Sequence, residues 1–149
     1  MMRFLRINVS GQILVVEAKD SLDAESLRQQ MDLEGCGAVV SFLGITRSME
    51  GGHEVYRLEF DAWEDKLAGV LHRLGSEAIE TFGVLSVALA HRIGSVAANE
   101  PIVAIHVGSA HRKEAFQACE WLIDTLKIQA PLWKKEVTSA GSTWKEGLG

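Results

Sequence analysis

The residues with the clearest potential for chemistry are two lysines near the C-terminal end of the 149-residue chain. Lys127 lies near the end of a helical pattern over 111–129, and Lys134 follows the turn that Pro131 begins. Because that turn is short, the next strand runs back past the helix end and brings Lys127 and Lys134 together. Two neighbouring ammonium groups lower each other's proton affinity or share an anion. The pair therefore predicts a site for proton transfer or for binding an anionic ligand.

Each lysine also has an ordinary structural explanation. Lys127 lies on a helix face that includes core positions, so its stem can follow that face while its amine favours the helix dipole. If the amine is partly desolvated, it instead releases its proton near neutral pH. A lysine pair beside Trp133 is typical of an edge strand that resists pairing with other chains. Both explanations stay open at this level.

The adjacent residues Lys134 and Lys135 raise a question of orientation. Strand alternation sends them to opposite faces of a sheet. Trp133 and Val137 look like the buried set, which would turn Lys135 inward in a regular strand. We therefore expect a bulge, a twist or an edge position that leaves Lys134 at the pocket and Lys135 at its rim.

A second candidate site lies where a strand meets the same helix, at Gly108–Arg112. The first turn of a helix has unpaired N–H groups and a positive partial charge, which suit an anion. Arg112 adds a fork of donors that matches phosphate or carboxylate. Alternatively, Ser109 caps the helix while His111 and Arg112 are solvated. Arg47, at the end of an apolar strand, is a further charge for the lysine pocket.

Composition narrows the class of protein. The net charge of −5 disfavours a nonspecific nucleic-acid binder. No apolar run approaches the roughly 18 residues of a membrane span, and no signal-peptide pattern opens the chain, so we expect a cytoplasmic protein without membrane contact. The histidines lack metal-binding spacing, and Cys36 and Cys119 form no CxxC pair, so neither a metal nor a cofactor is predicted.

Hydrophobic patterning predicts one domain over residues 1–149, with about three helices and mostly antiparallel strands in the order ββαββαββαββ. Ser21 is the expected N-cap of the first helix, and 49–53 is expected to be a mobile connection. The fold class is α+β. Strands are predicted at 4–9, 13–18, 37–47, 54–63, 84–94, 101–110 and in two short C-terminal segments, and helices near 21–31, 64–82 and 111–129.

Several ordered blocks resemble the MoaE family, the large catalytic subunit of molybdopterin synthase. They are GAVVSFLGITR (37–47), AHRIG (90–94), VGSAHRKEAF (107–116) and DTLKIQAPLWKKE (124–136), followed by a glycine and Trp144. The resemblance is clear from Gly37 to about Trp144. It implies an α/β-hammerhead type of fold and a homodimer. It also implies a heterotetramer with a small ubiquitin-like sulfur carrier, whose C-terminal Gly-Gly thiocarboxylate tail enters each catalytic pocket.

The same resemblance implies a sulfurtransferase that adds two sulfurs to cyclic pyranopterin monophosphate and so forms the dithiolene of molybdopterin. It places the catalytic roles on Lys127 and Lys134. It associates Arg47, His111 and Arg112 with the substrate pocket, and we expect Lys135 at the edge of that pocket. Phe42 matches an aromatic residue near the entrance for the carrier tail, beside Arg47.

The chemistry of this reaction suits the basic residues. A cyclic phosphodiester and a thiocarboxylate about 4 Å apart repel by roughly 4 kcal/mol at an effective dielectric of 20. Arg47, Arg112 and the two lysines would offset that repulsion. The carrier sulfur is the nucleophile, so Cys36 and Cys119 are not required. The alternatives are a noncatalytic module that binds phosphorylated ligands and a module that binds the carrier tail without turnover.

Overall fold

The computed structural model describes residues 2–8, 11–63, 66–145 and 148, with side chains from Gly11 onward. Within them lie three helices and ten strands, mostly antiparallel, which confirms the predicted α+β class. The helices are α1 (Ala24–Gln29), α2 (Leu67–Phe82) and α3 (Arg112–Gln129). The strands are β1 (Met2–Asn8), β2 (Gln12–Ala18), β3 (Ala38–Ile45), β4 (Met49–Glu50), β5 (His53–Ala62), β6 (Ser86–Arg92), β7 (Gly94–Ala97), β8 (Pro101–Ser109), β9 (Leu132–Thr138) and β10 (Gly141–Lys145).

The first sheet has the strand order β1-β2-β6-β8-β3. Its pairs are antiparallel except β2 and β6, which run parallel. Strand β6 is buried along its whole length because both faces of the sheet are covered. Val87 and Leu89 join the core formed with α2 and α3, while Ala88 and Ala90 join a smaller core with α1.

The second sheet has the order β10-β9-β5-β4, and β7 pairs with β5. Its inner face contributes Leu58, Phe60 and Leu132 to the larger core, so both sheets share that core with α2 and α3. The outer face of this sheet leaves aromatic side chains exposed, including Trp133 and Trp144. Alternation along β5 and β9 therefore decides which residues face the interior.

Two local predictions are wrong for reasons of backbone chemistry. The N-cap of α1 is Asp23, not Ser21, because the Asp23 carboxylate accepts the N–H of Ser26 at the third helical position. The segment 49–53 is not a mobile connection but a hairpin between β4 and β5. Its two loop residues, Gly51 and Gly52, have φ of 56° and 80°, as a two-residue hairpin turn requires.

The end of α2 agrees with the sequence prediction. Gly83 adopts a left-handed φ of 71° and its N–H donates to the carbonyl of Ile79, which closes the helix. The predicted start at 64 falls partly on residues 64–65, outside the described residues, and the helix itself begins at Leu67. In the described part of the chain, no helix is long and apolar enough to cross a membrane.

Candidate active site

A cavity of about 370 Å³ opens where the two sheets meet the last turn of α3. We call it the C-terminal cavity. Its floor is formed by buried residues that include Leu58, Phe60, Val103 and Leu126. Charged side chains stand around this floor, and they come from the segment after β3, from β4, from α3 and from β9: Arg47, Glu50, Lys127, Lys134 and Glu136.

Lys134 reaches the C-terminal cavity from a regular strand. Leu132 is buried and Lys134 lines the cavity, while Trp133 is 52% exposed on the other face. Pairing of β9 with β10 runs without interruption, and its irregularity against β5 lies in β5, between Val55 and Arg57. The expected bulge or edge position at Lys134 is therefore wrong, because β9 is regular there and lies between β10 and β5. The error came from assigning Trp133 to the core, because tryptophan can also lie on an open sheet face.

The pKa of Lys134 is lowered from its ordinary value, chiefly because burial removes water from the ammonium group. Glu136 opposes this shift by stabilising the charged form. Lys145, Lys127 and Arg47 add to it through repulsion between like charges. Lys134 is thus the lysine of the cavity at which proton release is favoured.

Lys127 lies in the last turn of α3 and lines the same cavity, so the predicted meeting of Lys127 and Lys134 is what the fold produces. Its position differs from one expectation. Lys127 is exposed, whereas its neighbour Leu126 is buried. Lys127 therefore contributes a solvated charge at the cavity edge, and the desolvated amine belongs to Lys134.

Arg47 and Phe42 enter the cavity from the edge strand β3 and the residues after it. The Arg47 Nη2 atom lies 3.2 Å from Glu50 Oε2, across an exposed ion pair. Gly44, which lies between Phe42 and Arg47 in the chain, permits a close approach of the neighbouring strands. A Cβ atom at this position would lie 2.6 Å from Val103 Cγ1 and 3.3 Å from Phe42 Cε2. Phe42 thus stands at a cavity wall that a larger residue at 44 would displace.

Lys135 does not reach the C-terminal cavity. It lies on the outer face of the second sheet, where its Nζ is 3.8 Å from Glu59 Oε2 and 5.8 Å from the centre of the Trp144 ring. The expectation that Lys135 forms the pocket rim is not met within this chain. In a regular strand, residues 134 and 135 must point to opposite faces.

His111 and Arg112 lie at the other end of α3, with Lys113, in a shallow depression beside Gly37 and Ala38. We call these three the N-terminal basic patch. Arg112 and Lys127 are fifteen residues apart in one helix, or about 22 Å along its axis at 1.5 Å per residue. One chain therefore does not bring His111 or Arg112 to the lysine pair. Ser109 is not the cap, because it lies buried in β8 and the N-cap is His111.

The cysteines have no reactive setting. Burial raises the pKa of the Cys119 thiol to about 11. Burial and the nearby Asp32 carboxylate raise the pKa of Cys36. Both thiols are protonated at neutral pH, so neither is a ready nucleophile. Among the described residues, no group of three or more histidine, cysteine or acidic side chains is arranged to hold a metal ion.

Sequence reasoning missed several residues that act on the cavity. Glu136 lines it, and Lys145 stands opposite Lys134 in the β9–β10 pair. Strand alternation does place Glu136 on the side of Lys134, but no site role was predicted for it, and the hairpin register would have found Lys145. His91 and Thr46 also lie in its wall, nearly completely buried. Those two carry no local signal, because only the packing of β6 and β3 against the second sheet places them there.

Comparison with known proteins matches most of this chain to one family. The family model for MoaE protein matches residues 17–129. The molybdopterin synthase catalytic subunit of Pyrococcus abyssi is 31% identical over 137 residues, which cover 92% of this chain and 93% of that relative.

Solved structures give the same result. The crystal structure of molybdopterin synthase from Staphylococcus aureus matches with a TM-score of 0.81 at 31% identity, over 94% of this chain and 99% of that chain. This likeness confirms the expected hammerhead type of fold. A protein–protein complex of subunits 1 and 2 of molybdopterin-converting factor from Helicobacter pylori matches with a TM-score of 0.69, over 90% of each chain. At 22% identity, that match supports the fold alone.

Proposed function

This chain belongs to the MoaE family, and we propose on that premise that it is the catalytic subunit of a molybdopterin synthase. The reaction transfers two sulfurs to cyclic pyranopterin monophosphate, one from each of two thiocarboxylated tails of a small ubiquitin-like carrier. The observation that carries the proposal is the half-buried Lys134, with its lowered pKa, in a cavity that also holds Lys127 and Arg47.

The charges of the cavity suit a reaction between two anions. The phosphodiester of the substrate and the thiocarboxylate of the tail repel each other, and a partly enclosed cavity screens that repulsion less than water does. Lys127 and Arg47 supply positive charge at the edge of the cavity. Positive charge placed where the two anions meet offsets their repulsion and so favours the charged transition state.

Lys134 has a different task. A lysine with a lowered pKa exchanges its proton more readily near neutral pH than a solvated lysine does. We assign proton transfer to Lys134 and charge stabilisation to Lys127. The attacking sulfur belongs to the carrier, which is consistent with the protonated thiols of Cys36 and Cys119.

The carrier tail is expected to enter past Phe42. The wall around Phe42 is apolar and Gly44 keeps the neighbouring strands close, so a tail that ends in two glycines, without side chains, suits a narrow entry. Arg47 stands on the same side and would meet the terminal thiocarboxylate. The fold neighbour from Helicobacter pylori is itself a protein–protein complex of subunits 1 and 2 of molybdopterin-converting factor.

His111 and Arg112 keep their proposed role only in a dimer. Because about 22 Å of helix separates them from Lys127, a substrate that contacts both ends must lie between two copies of the chain. We therefore propose a homodimer in which the N-terminal basic patch of one copy faces the C-terminal cavity of its partner. With one carrier per cavity, the assembly is a heterotetramer.

The test is to mix the protein with thiocarboxylated carrier and cyclic pyranopterin monophosphate and to follow the products by mass spectrometry. We expect a pterin that has gained two sulfurs and a carrier that has lost its sulfur. A pterin that is bound but unchanged would instead support a phosphorylated-ligand module, and a bound carrier that retains its sulfur would support a tail-binding module. As a biosynthetic enzyme, the protein is expected in the cytoplasm, which cell fractionation would test.

A further inference from the structure

The floor of the C-terminal cavity holds a histidine that the proposed lysine chemistry does not use. His91 is the penultimate residue of β6, is 2% exposed, and belongs to the cavity wall. Phe60 connects it to the lysine side of the cavity. The Phe60 ring meets the His91 ring edge-on, with centroids 5.1 Å apart, and Phe60 is the strand partner of Lys134.

The hydrogen bond of His91 fixes its tautomer. Nδ1 lies 2.7 Å from the carbonyl oxygen of Arg92. A carbonyl oxygen only accepts, so Nδ1 carries the hydrogen and donates it. In the neutral ring Nε2 then has a free lone pair. Within the described residues, Nδ1 makes the only hydrogen bond of this ring, so Nε2 is the nitrogen left for a ligand.

The environment keeps the ring neutral. Burial lowers the pKa of His91 to about 4, against a smaller opposing effect of its bond to Arg92. Glu17 is its partner on the neighbouring strand β2, and the cavity that it lines holds Glu50 and Glu136 as well as the cations Arg47, Lys127 and Lys134. A neutral imidazole can accept a hydrogen bond among these cations without adding another positive charge.

A second polar group lies unused on the same floor. Thr46 is 1% exposed and lines the cavity, and its Oγ1 has no hydrogen-bond partner among the described residues. Buried polar atoms are normally paired, so an unpaired hydroxyl in a cavity wall indicates a position that a ligand completes. His91 and Thr46 thus add two neutral polar groups to the apolar floor, while the edge carries Arg47, Lys127 and Lys134 together with Glu50 and Glu136.

We infer that His91 is a substrate-recognition residue whose Nε2 accepts a hydrogen bond from an N–H group of the pterin ring. The inference rests on the proposed function and extends it by assigning the two parts of the substrate. The heterocycle, which carries N–H donors, lies on the floor with His91 and Thr46, and the phosphate lies at the edge with Lys127. A site built to accept a hydrogen bond discriminates against ligands that lack the donor.

The direct experiment uses the wild-type protein with ¹⁵N-labelled histidine, bound to carrier that lacks the thiocarboxylate and so cannot react. Addition of cyclic pyranopterin monophosphate should move the Nε2 resonance of His91 while its Nδ1 resonance stays nearly unchanged. Inorganic phosphate alone should leave Nε2 where it is. If the Nε2 resonance does not move when the pterin is added, or moves equally when phosphate is added, the inference is overturned by the wild-type protein alone.

Variants provide the second measurement. His91→Phe keeps the ring volume and removes the acceptor, so pterin binding should weaken about tenfold or more, while inhibition by inorganic phosphate stays within about twofold. His91→Gln keeps an acceptor near the Nε2 position and should bind within about threefold of wild type. His53→Gln, at an exposed histidine outside the cavity, is the matched control. Equal loss in His91→Phe and His91→Gln, or wild-type binding in both, overturns the inference.

These measurements separate the inference from the proposed function. If wild type binds the pterin through His91 but forms no dithiolene product, the catalytic proposal fails and the recognition residue stands. If wild type forms product while His91→Phe keeps its KM and its pterin affinity, recognition by His91 fails and the catalytic proposal stands. A merely structural role for His91 would lower the thermal midpoint without this selective rise in KM.

Discussion

The two ends of α3 both carry basic residues, yet they offer different chemistry. At the C-terminal end, Lys134 is half-buried between two sheets, and its pKa is lowered by burial and by neighbouring cations. At the N-terminal end, His111, Arg112 and Lys113 are exposed in a shallow depression. Exposed cations can hold an anion, but they remain in contact with solvent, which screens their charge. Burial of a basic side chain in a cavity, rather than the number of basic residues, therefore makes a proton-transfer site.

The largest effect is expected at Lys134. Lys134→Ala should lower kcat by about 10²-fold or more, because general acid–base groups contribute about 10²–10⁴-fold. Lys135→Ala is the matched control, since the neighbouring lysine lies on the outer face of the same strand and should retain most of the rate. Steady-state kinetics at saturating carrier would check both. If Lys135→Ala has the greater loss, the assignment of faces in β9 does not describe the working enzyme.

The second prediction tests whether the two ends of α3 meet across a dimer. Lys134→Ala and Arg112→Ala should each be nearly inactive or strongly impaired alone. When they are mixed and allowed to exchange subunits, one site in each hybrid dimer regains both residues, so about a quarter of the wild-type rate should return. Activity is measured against the mixing time. Without restoration, the two residues either act in one chain or do not share a site.

The third prediction concerns the pH dependence of the free energy of unfolding that the buried His91 causes. The pKa of His91 is lowered from 6.5 to about 4, so the unfolded chain binds more protons between these values and the free energy of unfolding falls as pH drops through that range. The contribution lost is about 3 kcal/mol. His91→Phe should remove it, and the remaining acid dependence should come partly from His106, whose pKa burial also lowers.

Urea unfolding between pH 4 and 7 measures this dependence. His111→Phe, at the exposed end of α3, is the matched loss of an imidazole. An identical slope for His91→Phe and wild type would show that His91 takes up a proton in the folded protein as easily as in the unfolded chain.

The smallest effect is a shift of the pH profile. Glu136 raises the pKa of Lys134, so Glu136→Gln should lower that pKa and move the rise of kcat/KM to lower pH. Lys145→Ala removes a cation that lowers the pKa, so it should move the rise to higher pH. The pH–rate profiles of the two variants measure these opposite shifts. Shifts in the same direction would contradict the role of Lys134 charge in this rise.

Much of the fold was predictable because local signals are strong. The α2 and α3 patterns, the Gly83 end of α2 and the apolar central strands were all recognised from periodicity and glycine chemistry. The short elements were not. Strand β4 has two residues and appears only because Gly51 and Gly52 close a hairpin. Asp23 and Ser21 are both good caps by residue type, and the structure shows that the Asp23 carboxylate is the one that accepts the N–H of Ser26.

The sequence by itself determined which residues bear charge at the end of α3 and how the chain turns there. A helix that ends before Pro131 and a strand that starts at once must bring Lys127 and Lys134 together, because a short turn leaves no other path. The sequence blocks that resemble the MoaE family also indicated the function. All of these inferences use only residues that are close to one another in the sequence.

The tertiary structure alone decided burial. Trp133 looked like a core residue and is exposed, so the face of β9 that carries Lys134 is the inner one. His91 and Thr46 line the cavity only because the first sheet packs against the second. Similarly, the length of α3 places Arg112 about 22 Å from Lys127. Desolvation depends on everything that surrounds a group in space, and residues distant in the chain supply most of that surrounding.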